Sequence, residues 1–250
     1  MIQLIVVGIA AFAAGVMNAL AGGGSFITFP ALLFAGLDPR AANITSTVAL
    51  FPGQVSTALA GRQLIAGTAR LSFKALMAIS LVGGVLGALL LLATPAAFFA
   101  RLVPWLVLFA TSVFAWGSFA QRQTPGSPAH AGLGVRGAAA VQFAISVYGG
   151  YFGGGIGFLM LAALTVAGVA VRTAGATKNA LSGTMNASAV VIFLFSGEVA
   201  WGPAAVAAVT AVGGGLVGAW LLRRVNERVL RIAVVIVGVA LTIGLFLRQP

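Results

Sequence analysis

Acidic side chains are nearly missing from this sequence. Asp38, Glu198 and Glu227 are the three carboxylates in 250 residues, beside one histidine, His130, and no cysteine. Each shortage removes a class of function. Without cysteine there is neither a disulfide framework nor a thiolate metal site. A lone histidine forms no ligand cluster, so no metal and no other cofactor is expected. An enzyme embedded in a membrane needs a nucleophile, base or metal constellation, and these residues supply none. Proton-relay pumps place carboxylates or histidines inside their helices. Asp38 and Glu198 lie at the ends of apolar segments and Glu227 lies among arginines. That speaks against carboxylate-based proton coupling and against a cation carrier, and it fits an anion path. No Walker A loop is present, so direct drive by ATP is not expected.

Charge is scarce altogether: 7% of the residues are charged and 60% are hydrophobic, against about 25% charged in a soluble domain. Leu4 to Ala21 and Ala75 to Ala93 contain no charge, and each is long enough to cross roughly 30 Å of hydrocarbon as a helix. Barrel strands would alternate polar and apolar residues; these runs do not. The expected class is therefore all-α, a polytopic membrane protein. The first run lacks a basic leader and continues into a glycine triplet, so it reads as a mature helix rather than a signal peptide. The net charge of +11 does not imply nucleic acid, because the bases sit between hydrophobic runs, where they act as topology signals.

The chain repeats itself. Ala21-Gly22-Gly23-Gly24-Ser25-Phe26 resembles Phe152-Gly153-Gly154-Gly155-Ile156-Gly157. Thr45, Gln54 and Ser56 align with Thr177, Asn186 and Ser188, and Val82 to Gly87 aligns with Gly213 to Gly218, always at an offset of 131 or 132. The expected organisation is a first repeat over 1–120, a polar linker over 121–135 and a second repeat over 136–250. Ten apolar segments are predicted, at 2–21, 25–37, 42–61, 72–94, 102–120, 136–152, 156–170, 176–196, 203–222 and 229–247. If all ten reverse the chain, eleven of the fourteen bases fall on one face and only Arg40, Arg101 and Arg248 on the other. If each glycine triplet merely kinks one helix, the split is eight against six. The rule that bases stay in the cytoplasm favours ten segments and places both termini outside it. Five segments per half is an odd number, so the repeats are inverted, as in many secondary transporters.

Segments 25–37 and 156–170 are short, rising about 20 Å, so each glycine triplet is expected inside the membrane. A helix that starts there presents free N–H groups and a partial positive charge, which together bind anions. The candidate residues are Gly22, Gly23, Gly24 and Ser25 in the first half and Gly153, Gly154 and Gly155 in the second, with Thr28 as a further hydroxyl donor. Close helix packing by small residues is the alternative use of the same glycines. Leucine at Gly23 or Gly154 is expected to abolish anion binding in a folded protein. Buried amides must be paired or face water, which adds Asn18, Gln54, Asn179 and Asn186. Thr45 and Lys178 join them from the polar clusters of the third segment in each half. These side chains either line the path or bridge helices. Lys178 is expected about two residues into its helix, either as a cytoplasmic charge that snorkels to the surface or as a charge in the inner vestibule. Pro52-Gly53 is expected to interrupt segment 42–61. Gly83/Gly87 and Gly214/Gly218 have the spacing of close helix crossings.

The stretch Gly15-x-x-Asn18-x-x-Ala21-Gly22-Gly23-Gly24-Ser25-Phe26-x-x-x-Pro30, together with Ala41 to Thr47, resembles the first repeat of the TauE/SafE sulfite exporter family. Gly150 to Gly157 and Ala174 to Asn179 resemble its second. The resemblance covers nearly the whole chain. It implies a transporter of small sulfur-containing anions, such as sulfite or organosulfonates like sulfoacetate, in the bacterial inner membrane. The expected partners are the small anionic substrate, the lipid bilayer and a second copy in a homodimer, with no nucleic acid. A channel-like permease for other small organic anions and an accessory membrane subunit are the competing readings.

Overall fold

In lipid, every backbone N–H and C=O must be satisfied within the protein, and runs rich in Ala, Leu and Val satisfy them as helices. The computed structural model describes residues 1–20, 23–119, 134–221 and 227–247. Among them all regular structure is helical. The ten α-helices are α1 (Ile2–Leu20), α2 (Ser25–Phe34), α3 (Pro39–Ala60), α4 (Phe73–Ala93), α5 (Ala96–Phe119), α6 (Val135–Tyr151), α7 (Ile156–Val166), α8 (Val171–Leu194), α9 (Trp201–Leu221) and α10 (Glu227–Leu247). Ile2–Ala19, Phe73–Ala93, Ala96–Val113 and Trp201–Gly218 are long and apolar enough to cross a membrane. Leu81, Val82, Leu86, Leu89 and Leu90 of α4 lie exposed, as do Trp105, Trp116, Trp201 and Trp220. This is the outward apolar surface of a polytopic membrane protein.

The ten predicted segments match the ten helices, with three informative shifts. α5 starts at Ala96, six residues before the predicted 102, because the charge of Arg101 does not stop the helix. α8 starts at Val171, five residues before the predicted 176, and so Lys178 is its eighth residue, two turns in. Third, Pro52-Gly53 does not interrupt α3, which runs on through Pro52. A proline removes one backbone hydrogen bond, here the one to the Val48 carbonyl, without ending α3; further on, the hydroxyls of Ser56 and Thr57 both donate to the Gly53 carbonyl. The starts of α3 and α4 are capped: Asp38 accepts from the N–H groups of Arg40 and Ala41, and Ser72 from that of Ala75.

The contacts between helices are reciprocal. α1 packs on α9 and α6 on α4; α3 packs on α9 and α8 on α4; α3 meets α8, and α5 meets α10. Exchanging α1–α5 with α6–α10 turns each pairing into another that is present, the signature of a two-fold relation. The glycine seams repeat it at atomic level. A Cβ placed on Gly214 would run into the Phe12 carbonyl, and one on Gly218 would lie 2.7 Å from the Val16 carbonyl. In the other half, Gly83 faces the Phe143 carbonyl and Gly87 the Val147 carbonyl. Residues 12/143, 16/147, 83/214 and 87/218 each differ by 131. The small residues thus let α1 reach α9, and α6 reach α4, backbone to backbone.

One contact breaks the symmetry. Arg40, near the start of α3, donates through two guanidinium nitrogens to Glu198, and through Nη1 to the Thr94 carbonyl at 2.9 Å. Charge-assisted, forked hydrogen bonds of this kind are the strong ones, and they tie α3 to the end of α4 and to the α8–α9 connection. At the repeat-related positions stand Arg172 and, where Glu198 would be, Ala66.

Candidate functional site

The glycine triplets bring the two short helices together. Gly23 and Gly155 have φ of +86° and +76°, a backbone conformation that glycine adopts without strain. A Cβ on Gly23 would lie 2.7 Å from the ring of Phe158, and one on Gly155 3.2 Å from the ring of Phe26. Both pairs, 23/155 and 26/158, differ by 132. Each loop therefore rests on the aromatic ring that the opposite short helix presents in its first turn. The repeat mate of Gly23 is thus Gly155, one residue beyond the Gly154 that motif alignment suggests. The same offset relates Gly36 and Gly168, which end α2 and α7 at φ of +94° and +84°.

Where the loops meet there is a cavity with a free volume of about 40 Å³, lined by Asn18, Gly23, Ser25, Gln54, Thr57, Gly153, Gly155, Ile156, Gly157, Lys178, Asn179 and Ser182. One water needs about 10–15 Å³ of such space, so the cavity has room for three or four water-sized groups. The first N–H groups of any α-helix have no intrahelical acceptor. Those of Ile156 and Gly157 open α7 on the cavity wall, and Ser25 opens α2 there.

Most of the predicted site residues converge on this cavity: Asn18, Gly23, Ser25, Gln54, Gly153, Gly155, Lys178 and Asn179 line it. Gly24, Gly154, Thr45 and Asn186 do not line it and are held by hydrogen bonds around it. The N–H of Gly24 donates to Asn18 Oδ1 at 2.7 Å, which fixes the entry to α2. The carbonyl of Gly154 accepts from the Tyr148 hydroxyl at 3.0 Å. Thr45 Oγ1 accepts the N–H of Ala200, and its repeat mate Thr177 accepts the N–H of Ala66; each threonine holds the connection before a long helix, α9 or α4, against its own helix. Asn186 Nδ2 donates to Gln54 Oε1 at 2.6 Å. These two residues are repeat mates, so their bond lies on the pseudo-two-fold axis and joins α3 to α8. Thr28 turns its hydroxyl to Ser46, 2.6 Å away, and does not line the cavity. Gly22 lies outside the described residues, as does most of the expected linker over 121–135.

Ser182 and Thr57 belong to the polar clusters visible in the sequence but were not singled out there. Helical spacing identifies them: Ser182 is four residues after Lys178 and Thr57 three after Gln54, so each shares its predecessor's face. Lys178 is 7% exposed. It has no acidic or hydrogen-bonding partner among the described residues. The Ser182 hydroxyl is also buried and unpaired. The arrangement presents one ammonium, free amide and hydroxyl groups, and two helix starts to a volume of a few atoms. Such a donor set suits an oxyanion.

A family model described as "Sulfite exporter TauE/SafE" matches residues 7–245. Among curated proteins, the chain is 32% identical over 245 residues to the "Probable membrane transporter protein ORF9" of a Sinorhizobium species, covering 95% of this chain and 90% of that one. It is 28% identical over 233 residues to a "Probable membrane transporter protein" of Haemophilus influenzae, covering 92% and 89%. It is 27% identical over 240 residues to the "Probable membrane transporter protein YfcA" of Escherichia coli K12, covering 93% and 85%.

Proposed function

The chain belongs to the TauE/SafE sulfite exporter family, and from that premise we propose that this membrane transporter carries small sulfur-containing anions, sulfite or a compact organosulfonate, through the cavity between its two halves. The observation that supports this most is the convergence of the α2 and α7 starts with Lys178 around one small polar volume. A helix start binds an anion without a counter-charge of its own. Two of them on a pseudo-two-fold axis give the site equal access from either repeat. In this reading the repeats are inverted across the inner membrane, the termini lie outside the cytoplasm, and transport alternates as one repeat moves against the other. The direct bond from Asn186 to Gln54 closes the axis beside the cavity, which favours a carrier over a continuously open channel.

The test is a ligand screen on the purified full chain by thermal shift and calorimetric titration. Sulfite, sulfoacetate, taurine and simple carboxylates are compared side by side. The reading expects saturable binding of at least one sulfur oxyanion that exceeds that of a carboxylate of equal size. No binding of any of them, in protein that is folded by its melting transition, contradicts it.

A further inference from the structure

Three side chains on one stretch of α8, Lys178, Asn179 and Ser182, face the cavity. Lys178 and Ser182 are one turn apart, so they lie on one face of the helix, and each is 7% exposed. The Ser182 hydroxyl is buried without a partner, and no described group neutralises Lys178. The two carboxylates whose side chains are described are engaged elsewhere: Asp38 caps α3 and Glu198 is held by Arg40. A buried ammonium with no counter-charge and a buried hydroxyl with no partner are both costly to the protein. A single oxyanion in the cavity meets both. The other half contributes no formal charge, since the repeat mate of Lys178 is Ser46, whose hydroxyl is occupied by Thr28. The starts of α2 and α7 add oriented dipoles, not net charge.

From this one-sided charge we infer that the site selects compact monoanions, with Lys178 setting the charge of the ligand and Ser182 orienting one of its oxygens. The inference rests on the proposed anion site and adds the charge class of what it takes. A monoanion, such as bisulfite, the singly protonated form of sulfite, leaves the site neutral. A dianion leaves an unmatched negative charge in a small, desolvated volume, and a zwitterion brings a second cation toward Lys178; both are penalised by burial. The cavity's small free volume reinforces this, because it holds the two charges of a zwitterion close to Lys178.

The experiment titrates the purified full chain with three ligands at one neutral pH: methanesulfonate as a monoanion, sulfate as a dianion and taurine as a zwitterion. The wild type is expected to bind methanesulfonate at least about tenfold more tightly than the other two. Lys178→Met should lower methanesulfonate affinity by about 100-fold. It should also raise the melting temperature of the ligand-free protein, because it removes an unmatched buried charge. Lys178→Arg should keep the preference for methanesulfonate over sulfate, and Ser182→Ala should cost about fivefold to tenfold in affinity. Sulfate binding as tightly as methanesulfonate, or unchanged methanesulfonate affinity in folded Lys178→Met, overturns the inference. If Gly155→Ala then still abolishes binding, the cavity stands as the anion site and only the charge assignment falls. If the wild type binds none of the three, both fall together.

Discussion

Valine at Gly214 leaves no folded, monodisperse protein. A Cβ there runs into the Phe12 carbonyl, and the atoms next nearest are also Phe12 backbone. No rotamer change relieves a clash with backbone. Overpacking against adaptable side chains costs about 1–3 kcal/mol; separating α1 from α9 costs more, since the whole seam opens. Gly83→Val, the repeat mate, meets the Ser146 Cβ at 2.5 Å and the Phe143 carbonyl at 3.2 Å, and is expected to destabilise strongly but less than Gly214→Val. Gly213→Val is the control. It sits on the same helix, and a Cβ there has nothing within 4 Å, so only the small helix-propensity change remains. Size-exclusion profiles and melting curves in detergent check all three. A Gly214→Val protein with the wild-type melting point would mean that α1 and α9 do not touch as described.

Alanine at Gly23 or Gly155 is expected to remove anion binding, by at least about tenfold. The cause is twofold. A residue with a Cβ is strained at positive φ by about 1–2 kcal/mol, and the new methyl presses on Phe158 at Gly23, or on Ala110 and then Phe26 at Gly155. Either way the start of a short helix shifts by tenths of an ångström at the cavity wall. Gly36→Ala and Gly168→Ala separate strain from position. Their φ values are also positive, +94° and +84°, but nothing lies within 4 Å of a Cβ at either, and both sit at the far ends of α2 and α7. They should lower the melting temperature and leave titrated affinity intact. Equal loss of affinity in all four variants would show that the effect is general destabilisation.

These controls come from geometry that the sequence only partly discloses. The helices themselves were legible because apolar runs and bases alternate so regularly. The repeat was legible too, because its glycines recur in order. What hydropathy misses is where a helix starts when its first turns are polar or small. Val171 to Gly175 looks like a connection, yet it is the first turn of α8, and that misplacement put Lys178 near a helix end instead of two turns in. Pro52 signals a break by its chemistry, whereas α3 continues through it with one backbone hydrogen bond fewer. Of the site, the glycine loops and the polar clusters were visible as lists of residues. Their division of labour was not. That Thr45 and Thr177 anchor distant connections and that Gln54 and Asn186 meet each other are facts of tertiary contact across 111 to 155 residues, and that Ser182 faces the cavity is likewise nothing that local pattern encodes. The repeat offset carried one latent clue: Gln54 and Asn186 differ by 132, and repeat mates on inward faces are the pairs that meet on a two-fold axis.

The central claim is a carrier with one anion site between two related halves, and counterflow in proteoliposomes tests it most directly. Vesicles loaded with unlabelled sulfite or methanesulfonate receive a trace of the labelled anion outside. The account predicts uptake that saturates with external anion, is stimulated by anion on the opposite side, and disappears in Gly155→Ala. Flux that rises without saturation and ignores the anion across the membrane would contradict it.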